Sequence, residues 1–156
     1  MEAQALSHAE LASELFRQGY NCSQAVFAAF SDVTGLDRET SLRLASSFGG
    51  GMGRMREVCG VCSALFMVMG MKDGGYAPDD QAAKNRHYQE IQEIAGRFRE
   101  QNGSLLCREL LASLQLSSTP ESTPRTPDFY RQRPCLRFVE TGAALLDEWL
   151  IKTAGL

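Results

Sequence analysis

The chain has 156 residues, of which 44% are apolar and 22% are charged, a composition typical of a soluble globular protein and not of a disordered one. Sixteen basic residues against nineteen acidic residues give a net charge of −3, which argues against a general nucleic-acid binder. The length predicts one domain, and we expect a single all-helical, cysteine-containing domain over residues 1–156.

No segment of the sequence predicts export or membrane insertion. Residues 1–19 carry three glutamates and lack the apolar core of a signal peptide. The longest apolar stretch, Val58 to Met71, is shorter than the ~20 residues that a membrane span needs. We therefore expect a cytoplasmic protein that does not insert into membranes.

The first third of the chain predicts three helices from their capping residues. Ser7 begins a capping box and a helix that ends at Gly19. Asn21 caps a second helix that runs toward Gly35, and Asp37 caps a third.

A glycine-rich stretch at residues 48–53 follows, and glycine at this density does not hold regular structure. The next helix, from about Glu57 to Met71, is apolar on nearly every side. It is therefore predicted to be the central helix of the core.

The second half of the chain predicts three more helices. A long one begins at Pro78 and ends near Gln101, and Ser104 caps a shorter one. Residues 117–134 hold four of the five prolines and are predicted to form a long loop. A last helix runs from Pro134 to about Thr153. The sequence thus predicts an all-α bundle of about six or seven helices.

Cysteines are the side chains that carry chemistry in this sequence. In a reducing compartment, scattered cysteines are typical of catalytic, redox-active or metal-binding proteins, and an odd number argues against a closed set of bridges. The five candidates are Cys22, Cys59, Cys62, Cys107 and Cys135.

Four of the five cysteines are predicted in the first turn of four different helices. Unpaired N–H groups and the positive end of the helix dipole favour a thiolate there, and the thiolate is the nucleophile and the metal ligand. Cys62 completes a C-x-x-C with Cys59, so that both sulfurs lie within one helical turn. The alternative for any single cysteine is a small buried apolar side chain.

The glycine-rich stretch is followed by Arg54 and Arg56. Backbone N–H groups with two guanidinium groups predict either an anion site or, as the favoured interpretation, a tight turn that lets the central helix pack closely. Both arginines would favour a thiolate at Cys59 if they reach it.

Several motifs together match one known family. On these motifs the chain resembles the C_GCAxxG_C_C family of redox-active proteins, short chains marked by four cysteines, one of them in a C-G-A-x-x-G motif. The resemblance spans roughly residues 19–139 and implies a redox role for Cys22, Cys59, Cys107 and Cys135. The motifs that carry it are Gly19–Val26, Phe48–Gly53, Glu57–Gly60 and Met67–Gly70.

The sequence departs from the family motif at three positions. Val61 stands where the motif has alanine, Ala64 stands where it has its second glycine, and Cys62 is an additional cysteine. The additional thiol bears on which pair forms a disulfide.

Thiol–disulfide chemistry is the first functional hypothesis. Cys59 is the expected attacking thiolate, with Cys62 or Cys22 as the resolving thiol and with Cys107 and Cys135 as a second pair or a relay. The redox partner is not identified by the sequence. Because family members are often encoded near transporter genes, a transporter or an electron-transfer protein is a candidate partner.

The alternative is a metal module, in which Cys22, Cys59, Cys107 and Cys135 bind zinc or an iron–sulfur cluster. This requires that four helix starts meet at one end of the bundle. A C-x-x-C peroxidase of the helical type ranks lower, because no histidine follows Cys62 at the expected position. A structural or adaptor role is the last functional hypothesis. For the oligomeric state, the candidate is a homodimer.

Overall fold

A computed structural model describes residues 6–155 and confirms the all-α fold class. Within these residues the only strand-like pairing is one isolated antiparallel bridge between Val58 and Leu106. Six of the nine α-helices in this range have eight or more residues, as expected for a bundle. The helices are α1 (His8–Arg17), α2 (Cys22–Ala29), α3 (Ser31–Thr34), α4 (Arg38–Ala45), α5 (Gly60–Asp73), α6 (Gln81–Asn102), α7 (Cys107–Leu110), α8 (Pro127–Gln132) and α9 (Cys135–Thr153).

The predicted caps begin the first helices. Ser7 and Asn21 each form a full capping box with the residue three positions later, and the Asp37 carboxylate accepts the Thr40 N–H at 2.7 Å. The helix begun at Asn21 is shorter than predicted. It ends at Ala29, and the separate turn α3 closes at Gly35 with φ +77°.

Helix α5 is the central helix of the core, as predicted. Its side chains at Val61, Leu65 and Val68 are fully buried, and it packs against α2 and α9. The approach of α9 depends on Gly142, because a Cβ atom there would lie 2.3 Å from Val61 Cγ1. Despite this hydrophobicity, no helix within residues 6–155 has the length and apolar character that crossing a bilayer would require.

The starts of two helices in the second half differ from the sequence-based expectations. Helix α6 begins after Asp80 rather than at Pro78, since the Asp80 carboxylate accepts the Ala83 N–H. Ser104 does not cap the next helix. Its hydroxyl accepts the Leu106 N–H in a turn, and α7 begins only at Cys107.

The predicted loop over residues 117–134 contains a helix. Thr126 caps α8 by accepting the Phe129 N–H, and Pro127 occupies the first helical position, where its missing N–H costs nothing. Pro127 thus begins a helix inside a segment whose prolines had predicted a loop.

A histidine joins α1 to α3 and α9. The His8 Nδ1 atom contacts Asp147 Oδ1 at 2.6 Å, Nε2 contacts the Asp32 carboxylate at 2.9 Å, and the ring stacks on Phe30. Burial lowers the pKa of His8, but the hydrogen bonds and charges of Asp32 and Asp147 outweigh it, so that this pKa is raised above 6.5.

This raised pKa predicts a pH-dependent contribution to stability. The folded state holds the His8 proton more tightly than the unfolded chain, so the stabilisation is complete below the unfolded pKa and is lost as pH rises through the folded pKa. We expect His8→Gln to lower the urea midpoint more at about pH 6 than at about pH 8.5. Equal losses at the two pH values would contradict the ion pairs.

Candidate functional site

The starts of four helices meet around one cavity of about 60 Å³, which we call the cysteine cavity. Helices α2, α5, α7 and α9 begin there, and each brings a cysteine at or next to its first residue. The convergence that the sequence left open is therefore present. The cysteines that line the cavity are Cys22, Cys59, Cys107 and Cys135.

The isolated bridge places two of these cysteines at diagonal positions on the same face of one short antiparallel pairing. The Cys59 N–H donates to the Leu105 carbonyl at 2.8 Å, and the Cys107 N–H donates to the Glu57 carbonyl at 2.7 Å. Because the two segments are antiparallel, α5 and α7 start from the same short ladder. Helix α5 begins at Gly60 rather than at about Glu57, so Cys59 is the residue before the helix and not, as predicted, part of its first turn.

The Cys22 and Cys59 thiols lie near each other, and each shifts the pKa of the other. Gly60 makes this possible, since a Cβ atom there would lie 2.6 Å from Cys22 Sγ. The backbone N–H groups of Gly50 and Ser23 also face the Cys22 thiol. The start of α2 is thus pressed against the start of α5 at their cysteines.

Cys62 lies behind this pair. Its side chain is fully buried in the core, it interacts with the Cys59 thiol, and it does not line the cysteine cavity. By contrast, Cys22 and Cys135 are partly exposed. The structure brings four of the five predicted site residues to one cavity and leaves Cys62 outside it.

The expectation of thiolates with lowered pKa values is wrong for the four cavity cysteines. The neighbouring Cys59 thiol and burial raise the pKa of Cys22 well above 9.0. The contact with Cys22 lowers the pKa of Cys59, but Cys62 and burial outweigh it, and the pKa is raised well above 9.0. Burial raises the pKa of Cys107, with a partial offset from Arg56, and burial raises that of Cys135 to about 12. Burial and the neighbouring thiols together therefore exceed the effect of the helix starts.

These raised pKa values predict how the thiols react with an alkylating reagent. Only the thiolate reacts, so iodoacetamide should modify Cys135 about tenfold faster per pH unit between about pH 8 and pH 10. In the chain unfolded in urea, the same rate should level off near pH 8.5 to 9, the range of a free thiol. Peptide mass mapping measures both, and an equally early plateau in the folded protein would contradict the burial.

From Met52 onward, the glycine-rich stretch uses its backbone N–H groups within the loop and not for an anion. From Met52 to Glu57, each N–H donates to a carbonyl within the loop, for example Glu57 N–H to Gly51 at 2.9 Å. The tight-turn interpretation is supported, because a Cβ atom on Gly51 would lie 2.6 Å from Cys107 Cβ. The loop packs against the cysteines, and every backbone N–H group from Met52 to Glu57 already has an acceptor.

Arg56 reaches the cavity from this loop, but it contacts Cys107 and not the expected Cys59. Its Nη1 atom lies 3.6 Å from Cys107 Sγ, and its Nε donates to the Ser117 carbonyl at 3.0 Å. The side chain is 5% exposed, and its backbone has φ +59°, a left-handed conformation that costs a non-glycine residue about 1 kcal/mol or more.

Sequence reasoning missed three further residues of the cavity, all in the proline-rich segment. Arg125 and Arg133 each hold their guanidinium group over the Phe129 ring, at 4.4 and 4.3 Å from its centroid. The threonine, proline and aspartate at the start of α8 were the signal that this segment is ordered. It folds over the cysteines instead of extending into solvent.

The metal interpretation gains no support from this geometry. Within residues 6–155, no three side chains among the histidines, cysteines, aspartates and glutamates are grouped so that they could bind one metal ion. The four cysteines surround the cavity without forming such a ligand set. Neither His8 nor His87 lines it.

Comparison with known proteins gives one match. The family model described as "Putative redox-active protein (C_GCAxxG_C_C)" matches residues 20–149, which include all five cysteines. No curated protein and no solved structure matches the chain.

Proposed function

Because the chain belongs to the C_GCAxxG_C_C family of redox-active proteins, we propose that it performs thiol–disulfide exchange, with Cys22 and Cys59 as its reversible pair. The observation that carries this proposal is the position of both cysteines in the wall of one cavity, where Cys22 Sγ packs against Gly60, the residue next to Cys59. The proposed setting is the cytoplasm, where thiols are kept reduced between turnovers.

In the proposed exchange, a substrate disulfide oxidises the two cysteines, and its two sulfurs leave as thiols. One thiolate of the pair attacks a sulfur of the substrate disulfide, which forms a mixed disulfide and releases the first substrate thiolate. The second thiolate attacks the enzyme sulfur of that intermediate, which closes the Cys22–Cys59 disulfide and releases the second substrate thiolate. The two protons of the cysteines pass to the two leaving groups, so a dithiol is oxidised and a disulfide is reduced.

Access favours Cys22 over Cys62 as the partner of Cys59. Cys22 is partly exposed and lines the cavity, whereas Cys62 is fully buried on the far side of Cys59. An incoming sulfur can approach Cys22 through the cavity but has no comparable path to Cys62. Cys62 is therefore proposed to be a core side chain.

Cys107 and Cys135 are proposed to be the thiols that exchange with the redox partner. Both line the cavity, and Cys135 is partly exposed. Cys107 is the thiol in contact with a guanidinium group, which favours its thiolate relative to burial alone. This corresponds to the relay arrangement of the sequence-based hypothesis.

The test is a thiol count on protein purified without air. We expect five free thiols before and three after mild oxidation by a small disulfide, with full recovery on reduction. Peptide mapping should place the lost pair at Cys22 and Cys59. Five thiols that do not change under oxidation, or bound zinc or iron whose removal alone exposes the thiols, would overturn the proposal.

A further inference from the structure

The cysteine cavity is bordered by arginines that the thiol–disulfide reaction itself does not use. Resting on the function proposed above, we propose that the substrate is a small disulfide carrying a carboxylate. Arg56 with Arg125 and Arg133 would bind the carboxylate while the disulfide sulfur meets the cysteines.

Arg56 has a donor with no partner. Its Nη2 atom is buried and makes no hydrogen bond within the described residues, although Nη1 and Nε both have partners. A buried guanidinium N–H without an acceptor is costly, so such groups are normally paired. The side chain lines the cavity, and an oxygen atom bound there would complete its bonding.

The two other arginines are held in place by neutral groups. Arg125 donates to the Phe16 and Tyr20 carbonyls, at 3.3 and 3.1 Å, and Arg133 donates to the Thr123 hydroxyl at 3.2 Å. Stacking over Phe129 fixes both guanidinium planes at the cavity. None of these contacts neutralises a charge.

Positive charge therefore accumulates at the cavity without compensation. No carboxylate forms an ion pair with Arg54, Arg56, Arg125 or Arg133 within residues 6–155, and Glu121 approaches only Arg54. Burial and the neighbouring guanidinium groups lower the pKa of Arg133. In a chain of net charge −3, such a cluster is matched by a bound anion.

The cluster of arginines lies next to a cavity thiol. The guanidinium group of Arg56 that contacts Cys107 Sγ also carries the unpartnered Nη2 atom. A carboxylate bound at Nη2 would therefore contact the same guanidinium group that contacts the Cys107 thiol. A disulfide with its carboxylate a few bonds from sulfur fits this separation, and guanidinium binds carboxylate through paired N–H donors.

Two alkylating reagents that differ in charge test the inference without relying on disulfide exchange. Iodoacetate and iodoacetamide have nearly the same shape, and the ratio of their rates at one cysteine cancels the thiolate fraction. Relative to the chain unfolded in urea, we expect the iodoacetate-to-iodoacetamide ratio at Cys107 or Cys135 to rise about tenfold in the folded protein. An unchanged or lower ratio would overturn the inference.

Arginine variants locate the effect. Arg56→Gln and Arg133→Gln should each lower the ratio by about threefold to tenfold. The matched control is Arg108→Gln, because Arg108 is ion-paired with Glu57, half-exposed and outside the cavity. If the control lowered the ratio as much as the two cavity variants, the effect would be general surface charge and the inference would fail.

Three small disulfides separate this inference from the function on which it rests. The neutral bis(2-hydroxyethyl) disulfide, the anionic dithiodiglycolate and the cationic cystamine are compared as oxidants of the wild-type dithiol. Each rate is divided by the rate of the same disulfide with the chain unfolded in urea, because the leaving thiols differ in pKa. On this scale we expect dithiodiglycolate to react at least about tenfold faster than cystamine. Equal rates for all three would overturn the carboxylate inference and leave the exchange intact. No oxidation by any of them, with the alkylation ratio still raised, would overturn the exchange while the carboxylate site stands.

Discussion

Replacing Cys59 by serine is expected to abolish the reversible loss of two thiols on oxidation. Cys59 is the thiol whose pKa is shifted by both of the other two, Cys22 and Cys62. Without its sulfur, neither neighbour retains a thiol with which it is in contact. The measurement is the thiol count of the variant before and after treatment with a small disulfide.

Two companion variants decide which neighbour completes the pair. Cys22→Ser should also lose the reversible oxidation, whereas Cys62→Ser should keep it, because Cys62 lies in the core away from the cavity. If Cys22→Ser still loses two thiols while Cys62→Ser does not, the reversible pair is the C-x-x-C and the proposed pairing is wrong.

Thermal stability provides an independent readout of the same pair. A disulfide between Cys22 and Cys59 would tie the start of α2 to the start of α5. Closing a loop of this length contributes about 3–4 kcal/mol in the chain-entropy description. Oxidised wild-type protein should therefore melt several degrees higher than reduced protein. The difference should vanish in Cys22→Ser and persist in Cys62→Ser.

The sequence was informative wherever a local rule decides the structure. The caps at Ser7, Asn21 and Asp37 depend on hydrogen bonds within a few residues, and the helices begin there. The placement of cysteines at helix starts follows from the same rules. Cys22 and Cys135 are the first residues of α2 and α9, as predicted.

The arrangement of the site depends on contacts that no local pattern contains. Cys59 and Cys107 reach the same cavity through the bridge of Val58 with Leu106, a pairing too short to leave an alternating signal. The direction of the cysteine pKa values was predicted wrongly because burial of a thiol is a tertiary property. Arg133 was missed for a related reason, since a proline-rich segment reads as a loop.

Replacing Gly60, which lies where the starts of α2 and α5 meet, is the second substitution with a large expected effect. Gly60→Ala places a Cβ atom 2.6 Å from Cys22 Sγ and 2.9 Å from the Phe48 carbonyl oxygen. The carbonyl belongs to the backbone and cannot rotate away, so the start of α5 or of α2 must move. We expect a loss of about 1–3 kcal/mol in the free energy of unfolding, and a fall in Tm of about 3–10 °C.

The same substitution elsewhere provides the matched control. Gly96 lies within α6 and has no atom within 4 Å of a Cβ built upon it. Gly96→Ala should therefore raise the stability by about 0.5–1 kcal/mol, because alanine favours the helix over glycine. Opposite signs for the two variants, measured by urea unfolding, are the expected result.

Gly60→Ala also links packing to chemistry. Moving the start of α2 away from α5 separates the Cys22 and Cys59 thiols, so the disulfide should form more slowly even at temperatures where the variant stays folded. Gly96→Ala should oxidise at the wild-type rate. A stable Gly60→Ala variant with unchanged oxidation kinetics would show that the two cysteines do not depend on this contact. The glycine of the C-G-A-x-x-G motif would then need another explanation than close approach of the two thiols.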